Sequence, residues 1–512
     1  RCPHPGYLER PVKLTTLLEL LERIPNMKPE MHGEPHGEIT GLSYHSGSVN
    51  PGDLFACLVG LNVDGHDYAA EAVERGAAAL LVEHPLDTVP GIPQLRVSNS
   101  RIALAHASEH FFGNPTRELT LIGVTGTSGK TTTSSLIRHV LETAGIPTGY
   151  IGTLGTVIGG NELPGTLTTP EAPDLSRSFA AMCEAGDEAA VMEVSSHSLV
   201  FGRVAACEFD IALFTNLAPE HLDFHKDIED YARAKSILFS YLGARGEVAP
   251  PPRGVVNTDD PASRIMREAC PVDVLEFGLE GGDMVARDVS LSLGGSRFNL
   301  YYPDGSRAAV SLNLPARYNV YNATAAAAAA HCVGIPAEVA ASALSSATPV
   351  PGRFEVISGS EGDPMVVVDF AHTPDELENL LAAVSELTDG RIIVVFGCGG
   401  DRDRGKRPVM GKIAAQLGDY VIVSSDNPRS EDPELIAREV VEGIPAGSSY
   451  EIMVDRGRAI ERAIDIATSR DVVVIAGKGH ETYQIFAHET IDFDDRAVAR
   501  SLLRSQRGER SR

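Results

Sequence analysis

The run Gly123-Val-Thr-Gly-Thr-Ser-Gly-Lys-Thr-Thr-Thr133 sets small residues, one lysine and a row of hydroxyls between an apolar stretch at 119–124 and an amphipathic one at 131–144. Small residues let a backbone wrap a phosphate chain with its N–H groups pointing inward, and the start of the following helix adds partial positive charge. In such a loop Lys130 neutralises β- and γ-phosphate oxygens, and the Thr131 hydroxyl ligates Mg2+. Gly126, Thr127, Ser128, Gly129 and Thr132 complete the cradle. The strict phosphate-loop pattern has Gly five positions before Gly129, where this chain has Val124, so the loop is a variant. ATP and Mg2+ are the expected ligands.

Five further segments carry chemistry-bearing residues. Glu193 ends a predicted strand in Val191-Met-Glu-Val-Ser-Ser-His197, where an acid following a phosphate loop can bind Mg2+ directly or through water; a solvated strand-end acid is the plainer alternative. Phe214-Thr-Asn-Leu-Ala-Pro-Glu-His-Leu-Asp-Phe-His225 gathers two His and two acids. No Cys joins them and no HExxH occurs, which favours a second Mg2+ site over zinc; capping and core roles stay open. Gly397-Cys-Gly-Gly-Asp-Arg-Asp-Arg-Gly-Lys-Arg-Pro408 carries Arg402, Arg404, Lys406 and Arg407, and Ser425-Asp-Asn-Pro-Arg429 follows the next strand. Arginine forks take carboxylates bidentately and an adjacent Asp can hold an ammonium, so the two loops together suggest an amino-acid site. Gly477-Lys-Gly-His-Glu481 closes a third strand of the same predicted sheet.

These loops need a scaffold, and the pattern supplies one. Apolar runs at 365–369, 391–396, 420–424 and 471–476, separated by helical segments, read as a parallel, doubly wound sheet with ligands beyond its carboxyl ends. Strands are expected at 119–124, 189–194, 211–215 and 254–256, a strand-rich excursion at 274–314, and a helix in the alanine run 322–331. The first hundred or so residues alternate short helices and strands as a small α/β unit.

Composition narrows the partners. The 512 residues carry 44 Lys and Arg against 70 Asp and Glu, a net charge of −26, which disfavours coating nucleic acid or a membrane surface. Aromatics are 6% with no Trp, so base stacking is not the design. The seven Cys form no CxxC pair and read as free thiols in a reducing compartment. No apolar run is long enough to span a bilayer, and Arg1-Cys-Pro-His4 does not read as a signal peptide, so a cytoplasmic location is expected.

The ordered set Gly126-Thr-Ser-Gly-Lys-Thr-Thr132, Glu193-Val-Ser-Ser-His197, Asn216…His221, Arg317-Tyr-Asn-Val-Tyr-Asn322 and Asp369…His372 resembles that of the Mur ligases, ATP-dependent amino-acid ligases of peptidoglycan precursor synthesis, over nearly the whole chain. Thr168-Thr-Pro170 and Gly477–Glu481 are similar to the branch that extends UDP-N-acetylmuramoyl-L-Ala-D-Glu, and Asp426-Asn-Pro-Arg429 to the form that selects meso-2,6-diaminopimelate. The resemblance implies three α/β domains: a small UDP-binding domain at 1–100, a central ATP-binding phosphate-loop domain with a parallel sheet at 101–349, and a Rossmann-like, doubly wound amino-acid-binding domain at 350–512. It implies a monomeric enzyme.

Laid on the residues, the resemblance gives catalytic roles to Lys130, Glu193, His221 and Lys235, with Thr131, Glu193 and His221 on Mg2+ and Lys235 carbamylated to N6-carboxylysine. A plain Lys235 paired with phosphate is the alternative. Asn319, Arg353, Asp369 and His372 fall where the family holds adenine and ribose. Thr168, Thr169, Ser195 and Arg203, with Ser46, fall where it holds the nucleotide-sugar dipeptide; Arg402, Asp426, Asn427, Arg429, Gly477 and Glu481 surround the incoming diamino acid. Two departures stand out: His45-Ser46-Gly47 replaces the usual Asp-Ser-Arg, and Phe201 stands where some members have Gln. Folylpolyglutamate synthetases share the central and C-terminal plan, but the first hundred or so residues and Asp426–Arg429 argue against that reading.

Overall fold

Strands that are apolar throughout must be covered on both faces, and this chain builds two sheets of that kind. The computed structural model describes residues 11–35, 37–61, 63–165, 167–221, 224–243, 250–357 and 362–510. Leu222 and Asp223 of the His-rich segment lie outside them. The chain forms two compact units, one of residues 1–285, 302–306 and 323–343, the other of 286–301, 307–322 and 344–512.

In the first unit a small sheet places its strands in the order Glu30–His32, Gln94–Arg96, Ala79–Val82, Asp53–Ala56, Gly41–Ser43. Every neighbouring pair is parallel except the first, which is antiparallel. Leu17, Leu21, Leu54, Leu81, Leu104 and Phe111 pack one of its cores. The larger sheet centres on Thr120–Thr125, with Ala189–Glu193 and Ile211–Phe214 as parallel neighbours on either side. Register pairs Glu193 with Val124 and Phe214 with Thr125, so three strands end side by side and their loops emerge together. Beyond Ala189–Glu193 lie Thr148–Gly152 and the short strands Gly155–Ile158 and Asn161–Leu163, a hairpin excursion that the sequence reading did not anticipate.

In the second unit a sheet runs in the order Glu355–Ile357, Met365–Asp369, Val472–Ala476, Ile392–Phe396, Tyr420–Val423, Tyr450–Ile452. All pairs are parallel but the first. One face is covered by a core that includes Leu377, Leu381, Met410, Ala414 and Ile436, the other by one that includes Ile460, Ile464, Ala499 and Leu503. The sheet is thus doubly wound, and the loops at 370–372, 397–402, 424–429 and 477–481 all leave carboxyl ends of its strands. The alanine run lies within the helix Arg317–Cys332.

Candidate functional site

The phosphate-loop candidate sits where the strand Thr120–Thr125 gives way to the helix Lys130–Thr143. A Cβ at Gly126 would lie 1.9 Å from Thr215 Oγ1, so only glycine lets the loop pass beneath the neighbouring strand's end. Asn216 holds the loop from below: its carbonyl accepts the Thr127 amide at 2.9 Å and its Oδ1 accepts the Ser128 amide at 2.9 Å. Gly129, the N-cap, has φ 82°, and the amides of Lys130, Thr131 and Thr132 find no acceptor among the described residues. Those free donors at a helix N-terminus form an anion cradle. The Lys130 ammonium folds onto the loop's own carbonyls, Gly126 O at 3.0 Å and Thr127 O at 2.7 Å, and forms no ion pair among the described residues.

Glu193 lies beside it and is fully buried. Its carboxylate accepts hydrogen bonds from Tyr150 Oη (2.6 Å), the Thr153 amide (3.0 Å), Thr153 Oγ1 (3.2 Å) and Thr131 Oγ1 (3.0 Å). No cation of the described residues pairs with it. A buried carboxylate without a countercharge is costly, and hard oxygen donors are what Mg2+ takes, so the Thr131–Glu193 pair fits such an ion. Tyr150 and Thr153 belong to the unanticipated hairpin region and carry no motif that would have announced them.

Two more groups come to this end of the sheet. Lys235, on the helix Ile228–Ser240, is buried with Nζ 2.8 Å from Gly126 O and 4.2 Å from the Tyr231 ring centroid. Burial holds its ammonium well below the ordinary lysine range; the charge of Lys130 adds to the effect and Glu220 opposes it. A neutral amine in that place is the form that reacts with CO2, which fits carbamylation. His221 has a left-handed backbone, φ 56°, a half-exposed ring, and an edge-to-face contact with His197 at 4.8 Å. Of nine non-glycine residues with positive φ among the described residues, His221, Phe354, Asp401 and Arg429 all lie in or beside candidate site residues, the places where backbone strain concentrates.

Thr168, Thr169, Ser195 and Arg203 are brought together next to Glu193. Thr168 Oγ1 lies 3.2 Å from Thr153 Oγ1. Thr169 Oγ1 donates to Glu193 O at 2.9 Å and accepts from the Ser195 amide at 3.1 Å. Arg203 donates to Thr169 O and pairs with Glu171, both at 2.9 Å. Ser46 is not part of this cluster: it is buried in the short turn Ser46–Ser48, with its hydroxyl on Glu71 at 2.8 Å. Nearby, a cleft of about 410 Å³ is lined by residues that include Ser43, Tyr44, His45, Asp174 and Arg177.

In the second unit, Asp369 ends its strand and accepts the amides of Phe354 (2.6 Å) and Ala371 (2.8 Å). Burial pushes its carboxyl above the ordinary range, with Arg353 opposing. The Arg353 guanidinium lies 4.7 Å from the Phe370 ring centroid and leaves its Nε without a partner. His372 precedes the helix Pro374–Ser385 and its carbonyl accepts Lys406 Nζ at 2.8 Å. Asn319 is buried, donating to Pro315 O at 2.7 Å and accepting from Asn322 at 3.1 Å. Its polar atoms are committed to the start of its own helix.

The amino-acid candidates converge, and the structure sorts the cations of the arginine loop. Arg404 pairs with Glu431 and Glu439, the wholly buried Arg407 pairs with the same two acids, and Lys406 is tied to His372. Asp401 is occupied by Ser430. Arg402 and Arg429 make no ion pair among the described residues and flank Gly399, where a Cβ would lie 2.9 Å from an Arg429 amino group. Asp426, Asn427, Gly477 and Glu481 come from the other two loops. A Cβ at Gly477, φ 117°, would come within 2.6 Å of Asp426 Oδ2. Arg456, buried against Asp495 at 2.7 Å, clamps the two loops from behind through Ser425 O (3.2 Å) and Ala476 O (3.0 Å).

The first unit thus carries a candidate anion cradle beside a buried carboxylate, and the second brings cationic and acidic side chains together at its strand ends. The fold and these motifs are shared with known proteins. The Mur ligase family catalytic domain model matches residues 38–111, the Mur ligase middle domain 124–330, and the Mur ligase glutamate ligase domain 352–479. A relative from Geobacillus thermodenitrificans named UDP-N-acetylmuramoyl-L-alanyl-D-glutamate--2,6-diaminopimelate ligase is 45% identical over 96% of this chain and 100% of its own length. One of the same name from Syntrophomonas wolfei is 43% identical over 96% and 100%. A solved structure of that name aligns with TM-score 0.69 at 32% identity, covering 97% of this chain and 100% of the other. A folylpolyglutamate synthase from Mycobacterium tuberculosis, 18% identical with TM-score 0.60, covers only 73% of this chain and shares the fold alone. No helix among the described residues is long and apolar enough to cross a membrane. Matched along its length by all three domain models and by near-full-length relatives, the chain belongs to the Mur ligase family.

Proposed function

We propose that this protein uses ATP to join meso-2,6-diaminopimelate to the D-Glu carboxylate of UDP-N-acetylmuramoyl-L-Ala-D-Glu, a step of peptidoglycan precursor synthesis. The observation that carries the reading is that, at the strand ends of the second unit, Arg402 and Arg429 make no ion pair among the described residues while Glu481, in a neighbouring loop, keeps its Oε1 without a partner among them. A diamino acid whose far end bears both an ammonium and a carboxylate needs that combination; lysine offers no distal carboxylate to Arg429. The names of the relatives support the same substrates.

A carboxylate acylates an amine poorly at neutral pH. Phosphorylation by ATP makes an acyl phosphate, whose leaving group is phosphate, and the free-base amine then attacks the acyl carbon. The barrier is charge crowding as a carboxylate nears a polyanionic γ-phosphate. Lys130 and the free amides of the 129–132 turn would offset that crowding, and Thr131, Glu193 and His221 would hold magnesium. Bound there, Mg2+ supplies charge neutralisation of the transferring phosphoryl group. Thr168, Thr169, Ser195 and Arg203 orient the sugar-dipeptide next to Glu193. No enzyme nucleophile is required; alignment and electrostatics do the work.

The test is phosphate release with UDP-N-acetylmuramoyl-L-Ala-D-Glu and a panel of amino acids. Release is expected with meso-diaminopimelate and not with lysine. Release driven equally by lysine, or by a folate substrate with glutamate, would overturn the reading.

A further inference from the structure

Lys478 lies in the Gly477–Glu481 loop, and its side chain is wholly buried. Its ammonium donates to Asn427 Oδ1 at 3.2 Å and to Glu481 Oε2 at 2.9 Å. Asn427 Nδ2 closes the triangle on Glu481 Oε2 at 2.9 Å. The amide's orientation is determined, because Asn427 Oδ1 also accepts the Ile485 amide at 3.1 Å and so faces two donors. Two donors on Oε2 leave Glu481 Oε1 without a partner among the described residues, on a side chain that is 20% exposed. The outward oxygen is thus the one offered to a ligand, and the inward one is fixed by Lys478 and Asn427.

We propose that Lys478 is a positioning and specificity-determining residue for the diamino acid: held behind Glu481, it aims one carboxylate oxygen outward and offsets the charge of that carboxylate. The second effect bears on selection. With Lys478 in place, Glu481 attracts an ammonium only weakly on its own, so tight binding also requires a carboxylate on Arg429. Without Lys478, the loop gains a net negative charge and loses its fixed geometry. Diaminopimelate then binds less well while a simple diamine end, such as that of lysine, gains relative to it. This inference rests on the diaminopimelate-ligase reading above.

The test compares wild type, K478M and K478R by steady-state kinetics with diaminopimelate and lysine, with thermal melting as a check of folding. K478M is expected to raise KM for diaminopimelate at least tenfold, leave KM for ATP within twofold, and lower the preference for diaminopimelate over lysine at least tenfold. K478R, which keeps the cation, should recover part of that preference. If K478M does not fold, K478M/E481Q, which removes the buried pair together, is compared with E481Q alone; a KM for diaminopimelate within threefold of E481Q supports action through Glu481, and a further rise of tenfold or more overturns it. An unshifted KM and preference in folded K478M, or a loss that falls equally on ATP, would overturn the role of Lys478. A wild type that makes no product with diaminopimelate would sink both this inference and the reading beneath it.

Discussion

The phosphate loop and the amino-acid loops treat positive charge in opposite ways. In the first, Lys130 has only backbone carbonyls as acceptors, and no acid among the described residues pairs with its ammonium. In the second, Arg404, Arg407, Arg456 and Lys478 are all ion-paired, whereas Arg402, Arg429 and Lys406, which is tied to the His372 carbonyl, have no carboxylate partner among the described residues. A loop that must meet a polyanion keeps its whole charge open. A pocket that must recognise a molecule with both signs needs only a cation or two at the surface, and the remaining cations brace the frame. Within these two sets of loops, the cations without a carboxylate partner are the candidates for ligand contact, and those paired with carboxylates hold the loops in place.

The largest expected break comes from K130A. Removing the lysine of the phosphate loop should lower kcat for ligation by roughly a thousandfold, about 4 kcal/mol of transition-state stabilisation, while thermal stability stays near that of wild type. Phosphate-release kinetics and a melting curve read both quantities. Near-normal turnover would mean that this ammonium does not face phosphate. R429A tests this division at the other end. Its guanidinium is bonded only to carbonyls, Gly400 O at 2.8 Å and Asn427 O at 3.5 Å, so its loss should raise KM for diaminopimelate roughly 30-fold, about 2 kcal/mol. Arg404, already paired with Glu431 and Glu439 and two-thirds exposed, is the control: R404A should change that KM less than twofold. If R404A and R429A behaved alike, carboxylate pairing would not separate the two classes.

G477A sharpens the comparison without touching a charge. The new methyl would meet Asp426 at 2.6 Å from a backbone angle that only glycine adopts easily. The expected loss is about tenfold in kcat/KM for diaminopimelate, about 1–2 kcal/mol, with ATP affinity unchanged by equilibrium binding. A variant that instead weakened ATP and spared diaminopimelate would mean that this loop does not serve the diamino acid.

How far the sequence alone reaches can be seen residue by residue. Strand Met365–Asp369 falls at its predicted bounds, because a run of β-branched residues ending in an acid admits little else. The loop at Gly126–Thr131 is equally legible, since its glycines and lysine act through local backbone geometry. The cations at 402–407 are not. Arg402, Arg404 and Arg407 look alike in sequence, and what separates them is Glu431 and Glu439, more than twenty residues away. Tyr150 and Thr153 escape for the same reason: they serve Glu193 from a short glycine-rich hairpin region whose place is set by pairing between distant strands. Lys478 sits in a visible motif, but its role depends on where Asn427 arrives.

The remaining effect is on stability rather than on catalysis, and it tests the cations that hold the loops in place. Hydrogen bonds from Arg407 and then from the Asp401 amide hold the Glu431 carboxyl at about 2, well below its ordinary 4.5. A carboxylate whose folded-state value is depressed adds stability that is fully present above about pH 4.5 and is lost as pH falls through about 2. E431Q lacks that contribution, so at pH 7 it should be less stable than wild type by about 2 kcal/mol, and the gap should narrow steadily below about pH 4.5. Urea unfolding of both proteins across this range isolates the effect, because all other carboxylates titrate in each. Catalysis should respond little, since Arg407 lies inside the fold and its charge is already met by Glu431 and Glu439. If E431Q kept its stability at pH 7 but raised KM for diaminopimelate, the Arg407–Glu431 pair would belong to the ligand, and the division between bracing and binding cations would fail where it is most tightly drawn.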